Sequence, residues 1–224
     1  MEVVISGYGR MGHMVEAALK EKGIGFAGAS EDIASFDKEV AGRCVCIDFT
    51  TPEAFKANYR ALADSFKAVV VGTTGWDDIK EEVVAYFESK GTPMVYSSNF
   101  SVGVNVFSAA VGLVSEYLAK AGGYSPYIVE KHHIHKLDAP SGTAKSLARV
   151  VEEGMGKRPD VASVRVGEVP GIHTVGFEGS CDRITLEHEA FSRKGFAEGA
   201  VLAALMTEGL AGVHEFKELF FKEK

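Results

Sequence analysis

Residues 2–23, EVVISGYGRMGHMVEAALKEKG, decide how the rest of the chain is read. A short apolar run through Val3, Val4 and Ile5 stops at Gly7. Met11, Val15, Ala18 and Leu19 then recur at helical spacing until Gly23 ends the pattern. Between strand and helix, Gly7, Gly9 and Gly12 spell G-x-G-x-x-G. In that context Gly7 permits a tight turn and Gly9 lets the backbone approach a pyrophosphate. Gly12 lets helix and strand pack closely. Amides at the helix start favour phosphate, and Arg10 adds a cationic contact. The competing reading is an ordinary glycine turn.

Outward from this stretch the rhythm persists. GFAGAS, CVCIDFT, KAVVVGTT and PMVYSSN read as four more strands. The helix EAFKANYRALADS enters at Thr51-Pro52, and GWDDIKEEVVAYFESKG follows with acidic residues in its first turns. Strands alternating with helices predict a parallel sheet covered on both faces. The fold class is therefore α/β, with a Rossmann-like dinucleotide-binding domain over residues 1–101.

After Ser101 the rhythm changes. VNVFSAAVGLVSEYLAKAGG and GTAKSLARVVEEG read as helices flanking the strand YSPYIVEKHH. VASVRVGEV, IHTVGFEG and DRITLEHEA then follow with no helix between them. Consecutive strands predict an antiparallel or mixed sheet, so residues 102–195 form a C-terminal α+β domain built on such a sheet. FAEGAVLAALMTEGL and EFKELFF are helical, and residues 196–224 are expected to pack back on the first domain.

A formal net charge of −7 argues against broad attraction to nucleic acid or an anionic membrane. The N-terminus has neither a basic region nor a long apolar core. No apolar stretch is expected to reach the ~18 residues of a membrane span. The most apolar window, Val102 to Ala119, is interrupted by Asn105, Ser108, Ser115 and Glu116. Cys44, Cys46 and Cys181, an odd number without a framework, suggest reduced thiols and a cytoplasmic protein.

Glu31, with Asp32 beside it, ends the second strand, where an acid would meet ribose hydroxyls. Two carboxylates there would repel a 2'-phosphate, which favours NADH over NADPH. GTTG (Gly72, Thr73, Thr74, Gly75) and SSNFS (Ser97, Ser98, Asn99, Phe100, Ser101) end the fourth and fifth strands. Ligands of open α/β sheets bind outside those ends. Turn chemistry and helix capping are the alternative reading of each residue.

Residues 130–144, EKHHIHKLDAPSGTA, crowd His132, His133, His135 and Lys136 against a helix start capped by Ser141. On a straight strand Glu130, His132 and Lys136 share one face, with His132 and Lys136 ~13 Å apart. A bend at Asp138-Ala139-Pro140 would bring them together. Lys136 and the imidazoles, with the amides of Gly142 and Thr143, favour an anion. A carboxylate-bearing substrate set against a nicotinamide would suit them, with Lys136 as proton donor and His132 as donor or charge stabiliser. Competing readings are a metal site on His-His-x-His, a phosphate-binding module, or surface histidines. Lys136 repels a cation, so no metal is expected.

The same segment resembles the signature of the 4-hydroxy-tetrahydrodipicolinate reductase (dihydrodipicolinate reductase) family, Glu-x-His-His-x-x-Lys-x-Asp-Ala-Pro-Ser-Gly-Thr-Ala, at every fixed position. GYGRMG, IDFT, VVGTTG, NFSVGVN, VGEVPGIHTVGF and SRKGFAEGAV are similar to family segments in the same order. The resemblance implies an NADH- or NADPH-dependent reductase of a small cyclic dicarboxylic acid on the diaminopimelate route to lysine. It implies a C-terminal domain that binds substrate and builds a homotetramer. By matching positions, His132 and Lys136 are implied to be catalytic. His133, Ser141, Gly142, Thr143 and, more loosely, Arg193 are implied to meet substrate. Gly7, Tyr8, Gly9, Arg10, Met11, Gly12, Glu31, Gly72, Thr73, Thr74, Ser98, Asn99 and Phe100 are implied to meet the nucleotide. The glycine loop is one residue shorter than the family's, and Asp32 stands where many relatives have Arg. SSNF replaces the commoner Ala-Pro-Asn-Phe. A related imine dehydrogenase and a nucleotide-sensing binding protein are the rival functions.

Overall fold

β1 (Glu2–Ser6) is buried from Val3 to Ser6, as a strand with two parallel neighbours must be. The computed structural model to which it belongs describes residues 1–222. α1 (Arg10–Glu21) buries Gly12, Val15, Ala18 and Leu19, so Gly12 rather than Met11 completes the inner stripe. β2 (Gly25–Ser30) is parallel to β1. A 3-10 turn and the one-turn α2 (Lys38–Ala41), capped by Asp37, follow where no helix was expected. β3 (Cys44–Asp48) is wholly buried, and Cys44, Cys46 and the exposed Cys181 are free thiols. α3 (Pro52–Ser65) starts as its sequence predicts, with Thr51 accepting from the Ala54 amide at 3.2 Å. β4 (Ala68–Val71) leads to α4 (Lys80–Lys90), shortened at its start because Asp77–Ile79 form a 3-10 turn. β5 (Met94–Tyr96) ends this run.

α5 (Val102–Ala121) and α6 (Gly142–Met155) pack on each other closely. A Cβ on Gly154 would lie 2.7 Å from the Ser115 side chain. By length and composition α5 could cross a membrane, which corrects the expectation that no stretch reaches that size. Its interruptions are few, and the Ser115 hydroxyl is satisfied within the helix by the Val111 carbonyl at 2.8 Å. Phe107, Val111 and Leu118 nevertheless join a core with Ile128, Leu147, Val151, Val175 and Phe177.

That core lies against β6 (Ser125–His132), β7 (Asp160–Arg165), β8 (Ile172–Glu178) and β9 (Arg183–Glu189). Their order is β7-β6-β8-β9. β6 and β7 are parallel and the other pairs antiparallel, so the sheet is mixed. The register sets Glu130 opposite His173, His173 opposite His188, and His132 opposite Arg165.

α7 (Lys194–Met206) buries Ala197, Gly199, Ala200, Val201, Ala203 and Ala204 while packing on α1, β3 and β4. Small residues are required here, since a Cβ on Gly199 would sit 1.8 Å from the Phe100 carbonyl oxygen. β10 (Val213–Glu215), which sequence reading missed, pairs parallel with β5 and is followed by α8 (Phe216–Phe220). Among the described residues the larger sheet therefore has six strands, ordered β10-β5-β4-β3-β1-β2 and parallel throughout. Three residues bounded by turns give no period to detect. The chain divides into two compact units: Met1–Ser101 with the chain from Lys194 onward, and Val102–Arg193. Residues 223 and 224 of the expected C-terminal segment lie outside the described residues.

Candidate active site

In the first unit the glycine loop is shaped by contact. Gly7 has φ +83°, and a Cβ there would lie 2.4 Å from the Phe49 carbonyl oxygen. A Cβ on Gly12 would lie 2.5 Å from the Gly7 carbonyl oxygen, so α1 meets the turn as closely as the motif requires. Gly9 faces open space as the N-cap of α1, with no side-chain cap. Arg10 is exposed at the first helical position and Met11 is half-buried. This open cradle over uncapped amides fits a dinucleotide pyrophosphate.

The Tyr8 amide donates to Glu31 Oε1 at 2.6 Å, so the acid after β2 reaches back over the loop. The Tyr8 hydroxyl bonds Glu16 and its ring rests on His13. Asp32 turns away to accept from the Ser35 hydroxyl at 2.8 Å.

Asp48, which sequence reading missed, ties together the carboxyl ends of β1, β3 and β4. Its carboxylate accepts from Ser6 Oγ at 2.6 Å, Thr73 Oγ1 at 2.5 Å and Thr50 Oγ1 at 3.1 Å. Burial pushes its pKa up despite those bonds. Thr73 is thus committed inside the protein: its hydroxyl also accepts from the Thr50 amide, and its carbonyl from Trp76 Nε1. Gly72 lies under the Phe49 ring, while Thr74 and Ser98 are exposed. Asn99 is half-buried, its Oδ1 accepting from the Ser101 amide at 2.9 Å. The Phe100 ring packs in the core against Phe49 and Phe216, and Gly199 covers its carbonyl. Phe100 therefore builds the floor of this region rather than offering its ring to a ligand.

In the second unit β6 stops at His132, and the chain turns at residues 134–135. The Lys136 amide donates to the His133 carbonyl at 3.1 Å. The bend therefore comes before Lys136, and the strand alternation drawn through Lys136 does not hold. Lys136 Nζ is 2.7 Å from Asp138 Oδ1. The Lys136 bond chiefly, with the amides of Asp138 and Gly142 contributing, holds the Asp138 carboxyl below its ordinary range. A carboxylate is thus already held by Lys136 near the start of α6.

Ser141 is buried as the N-cap of α6, its Oγ accepting from the Ala144 amide and lying 3.1 Å from His173 Nε2. Gly142 is exposed and Thr143 half-buried. His133 is half-buried, with Nδ1 lacking a protein partner, and the exposed His135 is 3.5 Å from Glu168. Arg193 is exposed in the segment after β9.

Beneath this surface His132 Nδ1 bonds Glu130 Oε2, and Arg165 Nη2 meets Glu130 Oε1 at 2.9 Å. Burial acts to raise the Glu130 pKa; the bonds from Arg165, Ser163 and His132 outweigh it and leave the carboxyl below its ordinary range. Burial lowers the pKa of His132, against the opposing effect of Glu130. Burial, helped by His132, lowers that of His173 to about 4. Glu130, His132 and His173 hold donor atoms within 4.8 Å of one another, a different trio from His-His-x-His. Arg165 bonds their one carboxylate; within the trio His132 bonds Glu130, while His173 bonds Ser141 and sets its ring edge-on to His132. A Cβ on Gly171 would come within 3.0 Å of His132 Nε2, so the glycine keeps that nitrogen uncrowded. Glu130 was legible from its two-residue spacing to His132. His173, Arg165 and Gly171 come from distant sequence and needed the sheet register.

A parallel sheet with an open glycine cradle is the dinucleotide-binding arrangement of many oxidoreductases, and the separate mixed-sheet unit adds a buried Glu-His pair and a lysine, groups suited to proton transfer. Two family models cover nearly all of this chain: "Dihydrodipicolinate reductase, N-terminus" over residues 1–100 and "Dihydrodipicolinate reductase, C-terminus" over residues 103–220. The chain belongs to the dihydrodipicolinate reductase family. A 4-hydroxy-tetrahydrodipicolinate reductase of Christiangramia forsetii is 36% identical over 236 residues, covering 98% of this chain and 97% of the relative. Another, of Methanocorpusculum labreanum, is 37% identical over 85% of this chain and 80% of the relative. A solved dipicolinate-bound dihydrodipicolinate reductase from a Paenisporosarcina species shares the fold, with TM-score 0.81, 19% identity and coverage of 97% and 98%.

Proposed function

We propose that this chain catalyses the NAD(P)H-dependent reduction of 4-hydroxy-tetrahydrodipicolinate to tetrahydrodipicolinate, the step that its relatives' name describes. The reaction belongs to the diaminopimelate route to lysine. One observation carries the reading: a carboxylate, that of Asp138, already rests on Lys136 near the start of α6, next to a histidine fixed by a buried acid.

When bound, the nicotinamide supplies a hydride. Gly7, Tyr8, Gly9, Arg10, Met11 and Gly12 hold the pyrophosphate, with Gly72, Thr73, Thr74, Ser98, Asn99 and Phe100 shaping the ribose and nicotinamide end. Glu31 exchanges the Tyr8 amide for ribose hydroxyls. Glu31 and Asp32 together disfavour a 2'-phosphate, so NADH is the better donor. A substrate carboxylate replaces that of Asp138 on Lys136, with His133, Gly142 and Thr143 adding donors and Arg193 meeting the second carboxylate. Ser141 holds the helix start in place. Lys136 delivers the proton that completes the reduced bond, and His132 acts as a proton acceptor through Nε2. A hydride and a proton enter; water and oxidised nucleotide leave. The protein works in the cytoplasm as a homotetramer built on its C-terminal domain.

A coupled assay with freshly made substrate, following NADH and NADPH oxidation separately, tests this. Oxidation of both, faster with NADH, is expected; oxidation of neither defeats the assignment.

A further inference from the structure

We propose that Arg165 is a positioning residue, one guanidinium that fixes both the tautomer of His132, through Glu130, and the backbone of the Lys136 segment. The inference rests on the reading above, in which His132 and Lys136 serve the reaction. Arg165 lies opposite His132 in the β6–β7 register. Its Nη2 donates to Glu130 Oε1 at 2.9 Å and to the Asp138 carbonyl at 2.6 Å. Its Nε donates to the Lys136 carbonyl at 3.1 Å, and Nη1 to the Val164 carbonyl at 2.8 Å. Four acceptors, from three separate stretches of chain, therefore meet one rigid planar group.

The chemistry follows from what each group can offer. An ionised carboxylate only accepts, so Glu130 Oε2 requires a proton on His132 Nδ1. In the neutral imidazole that leaves the Nε2 lone pair free, on the side that Gly171 keeps uncrowded. Glu130 is fully buried, and Arg165 is the cation bonded to it. Without that cation a buried carboxylate tends to take up a proton. A neutral Glu130 could donate as well as accept, and His132 would no longer be confined to one tautomer. The carbonyls of Lys136 and Asp138 would lose their donors in the same step, loosening the turn that aims the ammonium. Lysine cannot replace this arginine, because a single point of charge on a flexible stem cannot span acceptors set around a fork.

Arg165→Met is the test, since it keeps much of the side-chain bulk and removes both the cation and its fork of donors. Histidine-labelled full-length protein gives the His132 tautomer by nitrogen-15 NMR, and steady-state kinetics on the same samples give kcat and KM. Wild type should show the Nδ1–H form alone. The variant should show both tautomers and a kcat lower by about 10²-fold, the scale of a misplaced reacting group, with KM for NADH unmoved. Guanidinium ion should restore part of the kcat of folded Arg165→Ala. A variant that keeps the wild-type tautomer and kcat would overturn the proposal. If the tautomer shifts but even wild type oxidises neither cofactor, the positioning role stands and the reductase reading falls.

Discussion

Replacing Asp48 by Ala should loosen the nucleotide unit at the carboxyl ends of its strands. The residue holds three hydroxyls, and Ser6 and Thr73 are only 1% and 5% exposed. Each of these two, left buried without an acceptor, costs about 1–3 kcal/mol. Thr50 is nearer the surface and can turn to Thr73 Oγ1, 3.3 Å away, or to water. Against this loss stands relief from burying a carboxylate, whose raised pKa marks a native state that resists ionisation. The net expectation is a loss of about 2–4 kcal/mol. At roughly 2–4 °C per kcal/mol for a chain of this size, the transition should fall by about 5–15 °C. Asp48→Asn keeps the shape and should cost less. Its deficit should also shrink as pH rises from the ordinary carboxylate value of 3.8 through the raised folded one. Over that window the wild-type fold binds more protons than its unfolded chain and loses stability, while the amide does not titrate. Scanning calorimetry at several pH values, with NADH binding followed by Trp76 fluorescence, checks both expectations. An Asp48→Ala protein melting within about 2 °C of wild type, with unchanged NADH affinity, would refute the claim that this carboxylate holds the strand ends together.

Gly171→Ala should press a methyl group onto His132 Nε2 and lower kcat, leaving NADH affinity untouched; parallel turnover and binding titrations decide it. Gly12→Ala should do the reverse. The new methyl must push the Gly7 carbonyl away, costing about 1–3 kcal/mol and weakening NADH binding in a fluorescence titration. His173, held neutral down to about 4, should cost the fold stability as pH falls below 6.5, because the unfolded imidazole takes a proton that the native one refuses. The slope should approach about 1.4 kcal/mol per pH unit, and His173→Gln should flatten it in denaturant titrations at stepped pH.

The parts of this protein legible in its sequence are those whose physics is local. The approach of Gly12 to Gly7 and the caps at Thr51 and Ser141 act on neighbours a few residues away, so spacing alone exposes them, and composition alone marks the apolar run from Val3 to Ile5 as a strand. β10 failed that test because it is three residues long and exists only through pairing with β5. The second unit divides along the same line. His132, Lys136 and the helix start share fifteen consecutive residues, and their grouping needed only counting. Their chemistry depends on Arg165, Gly171 and His173, which arrive from later strands and reach His132 only when β7 and β8 flank β6 in one register. A slip of one residue along β7 would turn Arg165 to the other face and leave Glu130 buried without its cation. The register is thus part of the site, and it is held by the apolar pattern of Ile128, Val161, Val175 and Phe177 facing α5 and α6. Residues that never approach a substrate thereby decide which nitrogen of His132 carries the proton.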